Sequence, residues 1–322
     1  MRSMASGLSS LLTCMAVCAV LAGCAGCTEE RTVVGPPPPP PPPPPQLGYS
    51  DGFPAWSPDG RTVAHIAFED DPNPFLARSY IRLVDVESGV TTTVMPQDRP
   101  IVFNLAWSPD GRWLLLSTEV GIFKMLATGD SLTLLKVGEF HVSASWSSVS
   151  NRIFFGINGG SEGGIYSMQP DGSNLQRWTY PASGVMQCPY VFPDSDTLVV
   201  QSYDEHGDYC IALYYPADAL LDEELACRLP AVAHPRPSPD HRNIYFVGYD
   251  TTTRSGRIYR FDRVTRVSNP LTTATSQNPF SVSPDGNYIV YHDAARTRGL
   301  QIISIRTGQV FQLTRKDGQS VH

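Results

Sequence analysis

The chain has 322 residues, 41% hydrophobic and only 17% charged, with a formal charge of −7 from 24 basic and 31 acidic side chains. That supplies apolar material for a large core. The acidic balance, with no basic run, excludes the clustered Lys and Arg of a nucleic-acid-binding surface.

Residues 1–23 read as an export signal that processing removes. Arg2 gives a short positive region, and Leu11 to Leu21 is an apolar stretch too short to span a bilayer. It ends in Leu21-Ala22-Gly23-Cys24, small residues running into a cysteine, the pattern of a lipoprotein cleavage site with Cys24 as the lipidated residue. A plain secretory signal with an incidental thiol is the alternative. Residues 24–48 form a spacer dominated by the proline run Pro36 to Pro45. Polyproline II at ~3.1 Å per residue makes that run a stiff rod on the order of 30 Å; a ligand for a proline-recognising groove is the less favoured reading. The anchor implies the cell envelope, and in a two-membrane host the outer membrane facing the periplasm.

From Tyr49 onward the sequence repeats. The clear copies are Ala55-Trp56-Ser57-Pro58-Asp59-Gly60, Ala106-Trp107-Ser108-Pro109-Asp110-Gly111 and Ser281-Val282-Ser283-Pro284-Asp285-Gly286. Weaker copies centre on Ser147, Phe192 and Ser238. A period near 45 residues is the length of a four-stranded propeller blade. Each copy is followed by runs rich in Val, Ile, Tyr, Phe and Thr, bounded by Gly, Asp and Pro. Residues 49–322 are therefore predicted to be all-β: a six-bladed β-propeller of four-stranded antiparallel blades. Each blade uses a continuous stretch, and the ring closes by packing blade 1 on blade 6 with no strand exchanged. Asp218 to Leu225 is the one helix-like stretch.

The Ser-Pro-Asp-Gly turn has a mechanism. Pro presets the first corner, Asp bonds back to the backbone, and Gly takes the left-handed position. Asp59, Asp110 and Asp285 are thus turn formers rather than catalytic acids, and the turn is expected to distort where Ser195 or His241 replaces Gly. Trp56, Trp107 and Trp146 are expected to wedge between blades.

These motifs resemble the TolB-type propeller repeat: Trp-Ser-Pro-Asp-Gly, an apolar strand, then a closing Leu-Thr as in Leu271-Thr272 and Leu313-Thr314. The resemblance covers Tyr49 to Thr314, with the third and fourth copies degenerate. TolB itself carries an α/β domain ahead of its propeller and is a soluble periplasmic component of an envelope complex. With only about 25 residues between Cys24 and the first blade, the resemblance implies the fold and not that partner-binding region.

Gly159-Gly160-Ser161-Glu162-Gly163 matches the nucleophile-elbow pattern, but strand-like sequence flanks it on both sides where a helix must follow, so Ser161 reads as a hairpin residue. No catalytic constellation, cofactor or metal site is expected; the tract Asp204 to Asp208 reads as a solvated loop before a cation site. Aligned repeats put Phe53, Asn104, Ser143, Cys188, His234 and Pro279 at one register of the first strands. Ala55, Ala106, Ser145, Tyr190, Arg236 and Ser281 come next on the same face. Asn104, Tyr190, His234 and Arg236 are the candidate channel-lining residues. The function expected is a monomeric, membrane-tethered module binding an envelope protein or a glycan. The alternative is a channel-based carbohydrate-processing enzyme, as in related propeller lyases.

Loops joining second and third strands share one face of a propeller. Here they are acidic over blades 1 to 4 (Glu69, Asp70, Asp71, Glu119, Glu162, Asp204, Glu205, Asp208). They are basic over blades 5 and 6 (Arg254, Arg257, Arg296, Arg298), with Asp250 and Asp293 as exceptions. A polarised face of this kind would steer a partner; ordinary solvated charge is the even alternative. Cys210 and Cys227, symmetric about a hairpin in blade 4, are expected to form a disulfide, leaving Cys188 unpaired and buried.

Overall fold

The computed structural model describes residues 49–69, 79–95, 101–138, 141–157, 161–180, 187–203, 206, 208–218, 220–227, 232–250, 255–272, 279–292 and 299–314. Blade 1 comprises β1 (Tyr49–Trp56), β2 (Thr62–Glu69), β3 (Ser79–Asp85) and β4 (Thr91–Met95). Blade 2 comprises β5 (Val102–Trp107), β6 (Trp113–Thr118), β7 (Gly121–Leu126) and β8 (Thr133–Val137). Blade 3 comprises β9 (His141–Trp146), β10 (Ile153–Ile157), β11 (Gly164–Met168) and β12 (Gln176–Arg177). Blade 4 comprises β13 (Gln187–Val191), β14 (Leu198–Tyr203), β15 (Tyr209–Tyr215) and β16 (Leu220–Cys227). Blade 5 comprises β17 (Val232–Pro237), β18 (Asn243–Asp250), β19 (Ser255–Asp262) and β20 (Val267–Pro270). Blade 6 comprises β21 (Ser281–Val282), β22 (Tyr288–His292), β23 (Leu300–Ser304) and β24 (Val310–Gln312). Every sheet pairs its four strands in chain order, antiparallel throughout.

The core explains why second strands read as unbroken apolar runs. Each is covered on both faces by neighbouring blades, so successive side chains enter different cores. Leu114 and Leu116 pack toward blade 1, while Leu115 between them packs toward blade 3. Phe155 faces blade 2 and Phe154 faces blade 4. The buried apolar residues form six clusters, each shared by two adjacent blades. One joins Trp56, Val63 and Val84 of blade 1 to Val290, Leu300, Ile302 and Leu313 of blade 6, and this packing closes the ring.

A closing threonine, preceded by Trp178 in blade 3 and by Leu in blades 5 and 6, caps these blades. Thr179, Thr272 and Thr314 accept at Oγ1 from the backbone N–H of Ile165, Ile258 and Leu300 in the third strand, at 2.8–3.0 Å. The helix-like reading of Asp218 to Leu225 is corrected. Pro216–Asp218 is a single 3-10 turn, and β16 runs on from Leu220. Antiparallel pairing with β15 along its length overrode the local Leu and Glu content. Within that pair Cys210 is disulfide-bonded, Cys227 lies directly opposite it in the ladder, and Cys188 is reduced and buried.

Candidate functional site at the turn face

The first turn of blades 1, 2, 5 and 6 is a compact hydrogen-bonded unit. Ser57 donates its hydroxyl to Asp59 Oδ1 at 2.6 Å and accepts from the Thr62 N–H at 2.9 Å, while Asp59 Oδ1 also accepts from the Arg61 N–H. Blades 2, 5 and 6 repeat this set at Ser108–Asp110, Ser238–Asp240 and Ser283–Asp285. The Ser57 hydroxyl and the Arg61 N–H hold the Asp59 carboxyl below its ordinary value of 3.8, and the Ser108 hydroxyl does the same for Asp110.

One expectation about these turns changes at His241, while at Ser195 the turn bond to the Phe192 carbonyl does lengthen, to 3.5 Å from the 3.0 Å of Gly60. His241 does not distort its turn: it adopts φ of 60°, near the 73° of Gly60, and the Ser238–Asp240 bonds match those of the glycine turns. Its side chain is held from blade 4, with Nε2 2.6 Å from Asp194 Oδ1 and the ring 4.7 Å from that of Phe192. Blade 3, which has no Asp in its turn, is completed in trans. Ser147 and Ser150 both donate to Asp196 Oδ1 of blade 4, at 2.5 and 2.9 Å. The turns also rest on each other. A Cβ placed on Gly60 would lie 3.9 Å from Pro284 Cδ, and one on Gly111 would lie 3.8 Å from Pro58 Cδ.

This ring of turns surrounds a cavity of about 320 Å³ lined by all six blades. Ala55, Ala106, Ser145, Tyr190, Arg236 and Ser281, the second aligned register, all line it. The other register does not, because the first strands are not regular. Phe53, Ser143, Cys188 and His234 have φ of 53°, 40°, 51° and 55°, and the ladder slips at each of them. An extra residue breaks the period-two alternation, so the two registers do not present alike. Of the channel candidates, Tyr190 and Arg236 therefore line the cavity, while Asn104 and His234 fall outside its lining. Asn104 is buried; His234 is half-buried, its Nδ1 has no partner, and burial pushes its pKa down to about 3.

Arg236 is 5% exposed. Its Cζ stacks 4.2 Å over the Tyr190 ring, and Nη1 donates to the Pro235 carbonyl at 3.2 Å. Trp56, Trp107 and Trp146 stand around it among turn prolines. They also wedge between blades: the Trp107 indole N–H donates to the Ala55 carbonyl of blade 1 at 2.9 Å.

The fold and its closed ring point to one comparison. Against solved structures the chain is similar to TolB from Acinetobacter baumannii, at 18% identity and a TM-score of 0.65 over 85% of this chain and 64% of that one. It is also similar to a putative TolB from Agrobacterium tumefaciens, at 22% identity and 0.61 over 73% and 87%. The chain has the TolB-like six-bladed propeller fold. It spans just under two thirds of the Acinetobacter TolB. An oligogalacturonate lyase in complex with manganese shares the propeller at 14% identity and 0.56, over 84% of this chain and 78% of that one. No family model matches the sequence, and no curated protein matches it.

The sequence-derived binding face is only partly described. Asp70, Asp71, Asp204, Glu205, Asp293, Arg254, Arg296 and Arg298 lie outside the described residues. Cys24 and the proline run lie outside them too. Glu162 is exposed in the turn before β11, as is Ser161. Glu69 and Arg257 are strand residues rather than loop residues, because β2 pairs to its last position with Tyr49 and β18 pairs with β19 as far as Asp250 and Ser255. Sequence reasoning missed two pairings that join blades: Asp196 with Ser147, for which the missing Asp after Ser148 was the available signal, and Asp51 with Thr314, for which there was none.

Proposed function

We propose that the chain is a membrane-tethered binding module of the cell envelope, held by a lipid on Cys24, whose propeller receives a segment of an envelope protein or glycan at its turn face. The observation that supports this reading is the cavity ringed by all six blades and walled by Trp, Tyr and Pro. Rigid aromatic surface of this kind loses little conformational freedom on binding. The turns around it are locked to one another by Asp196, Asp194 and the Gly–Pro contacts, so the face is preorganised. Among the described residues no helix is long and apolar enough to cross a membrane.

Residues 46–322 form one compact unit and are the bait for capture from solubilised envelope. The wild type is compared with Ser148→Trp, which places bulk at an exposed position of the cavity wall. Ligands retained by the wild type and lost by the variant support the reading. Equal capture by both contradicts it.

A further inference from the structure

The cavity at the turn face has an electrostatic character that its position alone does not require. In a chain of net charge −7 its lining among the described residues holds no Asp or Glu, and its single charged group among them is Arg236. A guanidinium at 5% exposure ordinarily has a carboxylate against it, since an unpaired buried charge is costly. Among the described residues Arg236 has none. It has the Pro235 carbonyl and the face of Tyr190, with the Cys188 thiol and the His234 ring close enough to feel its charge. Stacking occupies the flat face of the group and one Nη1 hydrogen goes to the Pro235 carbonyl, which leaves the remaining N–H groups to meet a carboxylate.

Other donors stand in the same lining. Ser145 Oγ accepts from the Val191 N–H at 3.2 Å, and Ser281 Oγ accepts from the Trp56 N–H at 3.1 Å. With an oxygen lone pair used in each case, the hydroxyl proton remains to donate. Burial also disfavours the charged form of Arg236, which an incoming anion would offset. The surplus is therefore one of donors and positive charge, enclosed by aromatic and proline surface.

We infer that this cavity is a carboxylate-binding site, in which Arg236, stacked on Tyr190, takes the anionic group while the tryptophan and proline wall takes an apolar body attached to it. The inference rests on the reading of this face as a binding site and names the ligand chemistry. The carboxylate could come from a free organic acid or from the C-terminus of a peptide chain, and two probe pairs separate these.

The test titrates the full chain with benzoate against benzamide, and with a short peptide ending in a free phenylalanine carboxylate against its C-terminal amide. Trp56, Trp107 and Trp146 in the wall make intrinsic fluorescence the readout, with calorimetry alongside. At least one acid is expected to bind about tenfold or more tightly than its neutral counterpart. Arg236→Gln removes that preference, and Arg236→Lys, which keeps charge without the fork, recovers part of it. An unchanged unfolding midpoint for Arg236→Lys guards against misfolding. Binding of benzoate alone assigns a free acid; binding of the peptide acid alone assigns a chain terminus. No binding by either acid, equal binding of acids and amides, or an undiminished preference in Arg236→Gln overturns the inference. Because no envelope ligand is involved, failure of the capture experiment leaves this result separate.

Discussion

Asp51 and Thr314, 263 positions apart, share a buried side-chain hydrogen bond across the seam where the ring closes. Asp51 Oδ1 also lies 3.4 Å from Nδ1 of His65, and both residues are essentially inaccessible to solvent. The same Thr314 hydroxyl accepts from the Leu300 N–H. One hydroxyl thus completes the last blade and ties it to the first strand of blade 1, which gives the ring a polar clasp in addition to its apolar seam.

Thr314→Val removes that clasp and strands a buried carboxylate. The expected loss is about 1–3 kcal/mol, larger than for Thr179→Val or Thr272→Val, which break only the cap within a blade. Thr314→Ser keeps most of the stability. Urea unfolding of the four variants measures the difference, and equal losses at all three threonines would show that Asp51 adds nothing.

Burial lowers the pKa of His65 from its ordinary 6.5, with the Asp51 carboxylate opposing and Arg82 reinforcing. The unfolded chain therefore takes up a proton that the folded ring resists. The stability contribution is complete above pH ~6.5 and declines as pH falls below it. The turn carboxylates Asp59 and Asp110, held below 3.8, keep their contribution until pH falls under ~4. Two acid phases are expected in unfolding midpoints measured from pH 8 to 3, the first shared by His65 and by His234, whose pKa burial holds at about 3. His65→Gln reduces the first, His65→Gln with His234→Gln flattens it, and both leave the second.

Asp196→Ala removes the acceptor that Ser147 and Ser150 share, and is expected to cost about 1–2 kcal/mol. Val149 occupies the place of the missing turn aspartate and is exposed. Val149→Asp in the same chain is expected to restore the turn from within blade 3. If the double variant is no more stable than Asp196→Ala, the trans-bonded carboxylate is not replacing a turn residue.

The disulfide at Cys210 is expected to be to Cys227, its ladder partner. Non-reducing peptide mapping reads the pairing directly. For a loop of about 15 residues the bond contributes about 3 kcal/mol, so dithiothreitol lowers the unfolding midpoint while Cys188→Ala does not abolish that sensitivity.

The blade count, the strand order and the roles of the turn aspartates were legible in the sequence, because Ser-Pro-Asp-Gly and Leu-Thr each encode a local hydrogen-bond set. What was not legible is what happens between blades. His241 stands in for glycine because Asp194 and Phe192 of another blade hold it, and no local propensity states that. The bulges at Phe53, Cys188 and His234 each put a residue preceding proline at positive φ, against its usual preference for extended backbone. The turn-face cavity is lined by the register of Ala55, Tyr190 and Arg236, and a period-two reading did not separate that register from the one holding Asn104 and His234.

Hydrogen exchange of residues 46–322, free and with the captured envelope ligand, tests most directly whether binding occurs at the turn face. The expected result is new protection in peptides covering Ser145–Ser148, Tyr190–Pro193 and Arg236–Pro239, where blades 3, 4 and 5 meet the cavity. Protection confined to the loops between second and third strands, with those three segments unchanged, would contradict it.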